Sequence, residues 1–434
     1  MLAILNYISY GVVLIIILMV LVAAHEYGHY LFARIFNMGV EEFAIGMGKP
    51  KVVTYLRKRH QLPVSTNDEL PEGVQPGDEF ELQSQGMSME GGTEKRFATL
   101  KRTDKGLALE EVTDFTIRPY PVGGFVRIKG MIPQADGGET RVPGGFYSKP
   151  PFQRLIVLFA GPLFSIITGI ILLVPVFMFD GKEEPLNKPI LGAVEAKTPA
   201  DVAGLKPGDR ITAIDGAPIN TFFEMIQKVR TSAGKELVFS IERQGVALDR
   251  KVMPAQDATP SPVLGSDLRD SGSTAIQGKI GVAYSVEKAK LSFGDALATA
   301  VDTPRRAISG MVVTFSSIAG FERSVGGPGT MYKLSEQAVN LGFAKVISLA
   351  ALLSISVGIF NLLPIYPLDG GQMVVAFVEM LRGGKRLSMR LQELIGTVGF
   401  AMVLLLFVSV LIVDVKRWMP KGESGPALVA PTKK

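Results

Sequence analysis

Apolar residues collect into four long runs, Ile8 to Phe36, Leu155 to Phe179, Val346 to Leu363 and Ile395 to Val413. Each approaches the ~20 residues that a helix needs to cross ~30 Å of hydrocarbon, which predicts four transmembrane helices. Between them the pattern changes. Glu42 to Lys51 and Phe115 to Met131 read as strands; Phe125 to Lys129 alternate in part, and Gly123 and Gly124 mark a turn. Residues from about 60 to 114 form a polar insertion rich in Gly, Glu, Gln and Ser with no clear period, which predicts a mobile loop. Pro189 to Pro254 read as a soluble module: Leu191–Val194, Asp209–Gly216 and Leu237–Arg243 give strand and turn signals, and Phe222 to Arg230 has helical spacing. Asp257 to Gly278 reads as a linker, Ala296 to Ile318 as an amphipathic or membrane-lying helix, and Ser324 to Gly329 as a flexible connection. There is no convincing internal repeat.

Composition agrees with a membrane protein, because 47% hydrophobic residues and a mean hydropathy of +0.28 are too apolar for a soluble chain of 434 residues. The net charge of +5 and pI near 9.1 raise the question of nucleic acid. Basic residues are dispersed among acidic ones and no aromatic-basic motif is present, so the charge is read as membrane-flanking and nucleic acid is not expected as a partner. With no cysteine, disulfides and thiolate ligands are excluded, and any metal must be held by nitrogen and oxygen.

His25-Glu26-Tyr27-Gly28-His29 spells HExxH inside the first apolar run. On a helix, residues i and i+4 share a face, so both imidazoles can reach one metal ion, and Glu26 beside them can take a proton from water and return it to a leaving amine. Two of the three histidines are here, and a chance match is expected in roughly one such chain in a thousand. The stretch is not read as a signal peptide, despite Ala23 and Ala24, because the first basic residue is Arg34. Two histidines leave a metal short of ligands. Asp369, in the Asn361 to Gly371 segment NLLPIYPLDGG, is an ionisable group where Pro364 and Pro367 break the third run. By itself it reads as an Asp-Gly turn; beside an HExxH it reads as the third ligand.

HEYGH at 25–29, NLLPIYPLDGG at 361–371 and PVGGFVRIKG at 121–130 together resemble the site-2 proteases, intramembrane zinc metalloproteases, and in particular their bacterial RseP-like branch. Ala203 to Asp209 is similar to the PDZ signature of bacterial proteases. The resemblance implies a polytopic α-helical membrane protein of about four transmembrane helices, with a membrane-associated β-region and one inserted extracytoplasmic PDZ domain of α+β type. The expected division is helix 1 over 1–36, a cytoplasmic-side β-region over 37–150, helix 2 over 151–180, PDZ over 185–256, linker and membrane-lying helix over 257–345, segment 3 over 346–381, helix 4 over 391–415 and a tail over 416–434. It further implies His25, His29 and Asp369 as ligands of one Zn²⁺, Glu26 as catalytic acid/base, and substrate contacts from Asn361, Gly123, Gly124 and Phe125. Asn361 reads equally well as satisfying the broken helix. There are departures: Ser165 stands where the family usually has Asn, Tyr366 where a second proline is common, and one PDZ module where the best-known RseP-like proteins have two.

The short loop with Arg382, Lys385, Arg386 and Arg390 suggests a cytoplasmic hairpin, whereas Lys416, Arg417 and Lys421 in the tail weaken that inference. The resemblance implies the bacterial inner membrane, with both termini and the PDZ outside the cytoplasm and the active site opening toward it. Its substrates would be single-span membrane proteins, such as pre-trimmed anti-sigma factors or remnant signal peptides. The PDZ would bind a peptide tail or act as a size filter. Two other classes remain open: a non-catalytic PDZ scaffold, and an ion or proton transporter built on Asp369 and the histidines.

Overall fold

The computed structural model describes residues 2–48, 53–64, 75–82, 96–104, 106–131, 144–257, 277–315 and 325–418. They divide into two compact units, 1–174 with 297–434, and 175–296.

In the first unit, the four apolar runs are helices α1 (Leu2–Ile35), α2 (Pro151–Phe179), α7 (Phe343–Asn361) and α9 (Met389–Trp418), all long and apolar enough to cross a membrane. Their outward faces carry bare apolar side chains; Ile16 is 55% exposed and Leu405 72%. Such surfaces suit hydrocarbon as the outer solvent. Inward, glycines let the helices meet at backbone distance. A Cβ on Gly28 of α1 would lie 2.3 Å from the Ala160 carbonyl oxygen of α2, and one on Gly358 of α7 would lie 2.7 Å from that of Pro162. Lipid supplies no hydrophobic drive between helices, so close approach through small residues does that work. Ile17, Leu21 and Ala350, with Leu172 packed against them, fill the α1–α2–α7 junction.

The chain between α1 and α2 builds a six-stranded sheet from β1 (Val40–Met47), β2 (Val53–Pro63), β3 (Glu79–Leu82), β4 (Arg96–Thr103), β5 (Gly106–Ile117) and β6 (Tyr120–Ile128). The order is β3-β4-β5-β1-β6, with β2 paired along β5 from Val53↔Ile117 to Pro63↔Ala108. This corrects the loop expected over 60–114 wherever that segment is described; residues 65–74, 83–95 and 105 of it lie outside the described residues. In β5 the buried face carries the polar Glu111 and Thr113, so hydrophobicity does not follow the two-residue burial period of the strand. Gly123 and Gly124 are likewise not a turn. Both sit within β6, Gly123 with φ +77° and Gly124 opposite Ile45, where a Cβ would lie 2.8 Å from the Ala44 carbonyl oxygen. Tyr30, Phe43, Phe115, Ile128, Val157 and Ala376 form a shared core that fixes the sheet to the histidine-bearing end of α1.

Among the described residues the second unit holds strands β7 to β16 with helices α3 (Pro199–Val202) and α4 (Phe222–Arg230) between them. Arg210–Ile214, Ala217–Pro218, Leu237–Arg243 and Val246–Val252 are β9 to β12, a sheet of order β10-β9-β11-β12. Its core is Ile211, Ile214, Met225, Phe239, Ile241 and Val252. Thr221 caps α4 by accepting from the Glu224 amide at 3.1 Å. The module does not end at 256. Gln277–Lys279 (β14) pairs with Ala255–Asp257 (β13), Val282–Tyr284 (β15) with Leu191–Val194 (β8), and Val286–Ala289 (β16) with Lys182–Pro185 (β7). Strands of three or four residues are too short to show a period, so the end of the linker expected over 257–278 gave no sign of β14.

The amphipathic or membrane-lying helix expected over 296–318 falls on helix α5 (Phe293–Phe315), with 316–318 outside the described residues. The glycine-rich stretch expected to be a flexible connection is instead the entry to α6 (Pro328–Leu341), at least from Val325 onward. The Asp414 carboxylate at the end of α9 accepts from the Gly327, Gly329 and Thr330 amides at 3.3, 2.7 and 3.1 Å, and from the Thr330 hydroxyl at 2.5 Å.

Candidate metal centre

The first-helix pattern puts His25 and His29 one turn apart on α1, facing α2, with side chains 9% and 10% exposed. Asp369 arrives from the far end of the sequence. Helix α7 stops at Asn361, residues 362–368 run irregularly through both prolines, and Asp369 is the first residue of α8 (Asp369–Leu381). Asp369 Oδ2 lies 3.1 Å from His25 Nε2 and 3.4 Å from His29 Nε2, and the two Nε2 atoms are 3.3 Å apart. Four ligands at about 2.0–2.1 Å around a tetrahedral zinc ion are separated by roughly 3.3 Å, so these three atoms already stand at the spacing zinc requires. Among the described residues this is the cluster of histidine and carboxylate groups able to hold a metal.

The outer nitrogens define the rings. His29 Nδ1 is 2.8 Å from the Val157 carbonyl oxygen, which can only accept, so Nδ1 carries the proton and the Nε2 lone pair faces the cluster. His25 Nδ1 is 2.9 Å from the fully buried Ser165 hydroxyl. Both partners belong to α2. Neither was legible as a site residue: a backbone carbonyl leaves no mark in a sequence, and Ser165 stood out only as a departure from Asn.

Around the cluster is a cavity of about 330 Å³ whose wall includes Glu26, Asn361 and the β6 residues Gly123, Gly124, Phe125 and Val126. Thus all eight residues singled out from the sequence line one chamber. The Val126 amide faces the Glu26 carboxylate. Asn361 donates from Nδ2 to the Val357 carbonyl oxygen at 3.1 Å, which satisfies the end of α7, while its side chain still borders the chamber. Among the described residues β6 pairs on one side only, with β1.

A chamber of this composition, enclosed by helices apolar enough to cross a bilayer, defines a membrane metalloprotease. The family model described as Peptidase family M50 matches residues 13–65 and 106–406, and the chain belongs to that family, the site-2 proteases. It is 30% identical to "Probable protease eep" of Enterococcus faecalis over 93% of this chain and 98% of that protein. It is 31% identical to "Zinc metalloprotease RasP" of Shouchella clausii, again over 93% and 98%, and 29% identical to the RasP of Oceanobacillus iheyensis over 92% and 96%. A solution structure, GtR34C from Geobacillus thermodenitrificans, is 30% identical over 16% of this chain and 79% of its own, with a TM-score of 0.15.

Proposed function

We propose that the chain is an intramembrane zinc endopeptidase that cuts single-span membrane proteins within or near their transmembrane segment. The observation that carries this is the meeting of His25, His29 and Asp369 at 3.1–3.4 Å beside Glu26. In this reading the three hold one Zn²⁺. When bound, zinc supplies Lewis acidity, which polarises the scissile carbonyl and lowers the pKa of water. Glu26 takes the proton of the attacking water and delivers it to the departing amine nitrogen. Val157 and Ser165 keep the imidazoles turned inward throughout.

A helical substrate hides its carbonyls in hydrogen bonds, so the segment to be cut must be extended. The open edge of β6, along the chamber wall, receives it as an added strand. Gly123, Gly124 and Phe125 are the strand contacts, the glycines allowing close backbone approach, and Asn361 holds the opposite side. Substrates of the anti-sigma-factor or remnant signal-peptide type fit this chemistry, as does a multi-pass inner-membrane location with the chamber opening to the cytoplasm.

Unit 175–296 is read as one PDZ domain outside the cytoplasm. It carries a groove of about 360 Å³ between α4 and residues 277–283, lined by Met225, Ile226, Val229 and Gly278 among others. An apolar groove beside short strands favours tail binding over a purely steric filter.

The test is cleavage of a tagged single-span substrate by the purified protein and by Glu26→Gln, with zinc quantified in both. The expected result is one zinc per chain in each and cleavage only by the wild type. A Glu26→Gln protein that still cuts would remove Glu26 from its role.

A further inference from the structure

Helix α2 carries no metal ligand, yet three of its residues, spaced four apart, face the two histidines. The Val157 carbonyl meets His29, the Ser165 hydroxyl meets His25, and between them stands Gly161. A Cβ on Gly161 would lie 2.2 Å from His29 Nε2, 2.5 Å from His29 Cε1 and 2.8 Å from His25 Nε2. It would therefore occupy space next to the two metal-facing nitrogens.

A methyl group there could be accommodated only if α2 moved away from α1 or the rings turned. α2 has no room to move. Gly28 puts α1 against the Ala160 carbonyl, and on the other side α7 is equally close. A Cβ on Gly169 would lie 2.7 Å from the Ala351 carbonyl oxygen, and one on Gly358 would lie 2.7 Å from that of Pro162. The rings are held by Val157 and Ser165. Ser165 is itself fixed in a fully buried position, its carbonyl oxygen accepting from the Ser354 hydroxyl at 2.7 Å.

We infer that α2 is the second half of the metal site: the missing side chain of Gly161 keeps clear the space beside the two imidazole nitrogens that would hold the ion, and Ser165 is the positioning residue that orients His25. This rests on the reading that His25, His29 and Asp369 hold zinc.

The experiment is zinc stoichiometry and competition with a chromophoric chelator on the full-length protein in detergent, comparing wild type with Gly161→Ala, Gly169→Ala, Ser165→Ala and Ser354→Ala. Gly169→Ala is the folding control: it crowds the same helix just as tightly, away from the histidines. Ser354→Ala removes a neighbouring buried hydroxyl that does not touch His25. The expected result is that Gly161→Ala loses zinc while Gly169→Ala retains it, and that Ser165→Ala weakens zinc affinity about 10–100-fold while Ser354→Ala leaves it at the wild-type value. A wild type without zinc would overturn the metal reading itself. With zinc in the wild type, the inference is overturned if Gly161→Ala binds equally well, if the two glycine variants fail alike, or if the two serine variants behave alike.

Discussion

Replacing Asp414 by alanine removes an acceptor on which the start of α6 depends. The carboxylate is 6% exposed and takes three backbone amides and one hydroxyl, at 2.5–3.3 Å. Those amides are first-turn donors that have no partner within their own helix. A hydrogen bond to a charged group contributes about 1.5–3 kcal/mol, and loss of a helix cap alone costs about 0.5–2 kcal/mol. Bonds to one carboxylate are not additive, so the expected cost is about 3 kcal/mol, the upper end of what leaving buried donors without an acceptor costs. At ~1.5 °C per kcal/mol for a unit of roughly 300 residues, the thermal midpoint should fall by about 5 °C. Asp414→Asn keeps one acceptor oxygen but turns a donor toward donors, and should fall roughly half as far. The assay is stepwise heating of a fluorescently tagged protein in detergent, followed by the fraction that still elutes as a single species. A midpoint for Asp414→Ala equal to that of the wild type would refute the cap.

Two further outcomes are expected. His60 on β2 has a buried Nε2 with no hydrogen-bond partner among the described residues, and burial first, then Arg34 and Lys58, push its pKa down to about 4. Because the folded value lies below the ordinary ~6.5, its contribution is complete above pH ~6.5 and is lost as pH falls toward 4. The thermal midpoint of the wild type should fall relative to that of His60→Leu as pH drops from ~6.5 toward 4, and a difference that does not change across this window would refute the depressed value. Gly399 of α9 abuts the loop before Asp369, where a Cβ would lie 2.0 Å from the Tyr366 carbonyl oxygen. Gly399→Ala should therefore cost about 1–3 kcal/mol and displace Asp369, lowering both bound zinc and cleavage rate; unchanged zinc content would argue against that coupling.

Much of the site could be read before any coordinates. HEYGH is legible because both helical spacing and metal chemistry act on neighbouring residues, and Asp369 because a carboxylate beside a proline-broken apolar run demands a partner. The four spans are legible because lipid requires apolar residues on every face. What stayed hidden has physical reasons too. Val157 acts through its carbonyl and Gly161 through an absent side chain, neither of which the residue type advertises. The buried face of β5 carries the polar Glu111 and Thr113, so its pairing with β2 left no alternating hydrophobic pattern. Asp414 and the Gly326-Gly327-Pro328-Gly329 turn are about 85 residues apart, and only the folded chain shows that the one caps the other.

The distance along the chain between His25 and Asp369, 344 residues, also sets an order of events. A chain made from its amino terminus presents both histidines and Glu26 with the first helix. It then makes the sheet, the second helix and the whole of 175–296 before the aspartate exists. Domains fold as they emerge, so the hydrolytic centre is among the last features to be completed. Until α8 is in place the nascent protein is an incomplete chelator sitting in the same membrane as its own apolar segments. If Asp369 is the third ligand, as proposed, its late delivery leaves the enzyme inactive during its own insertion.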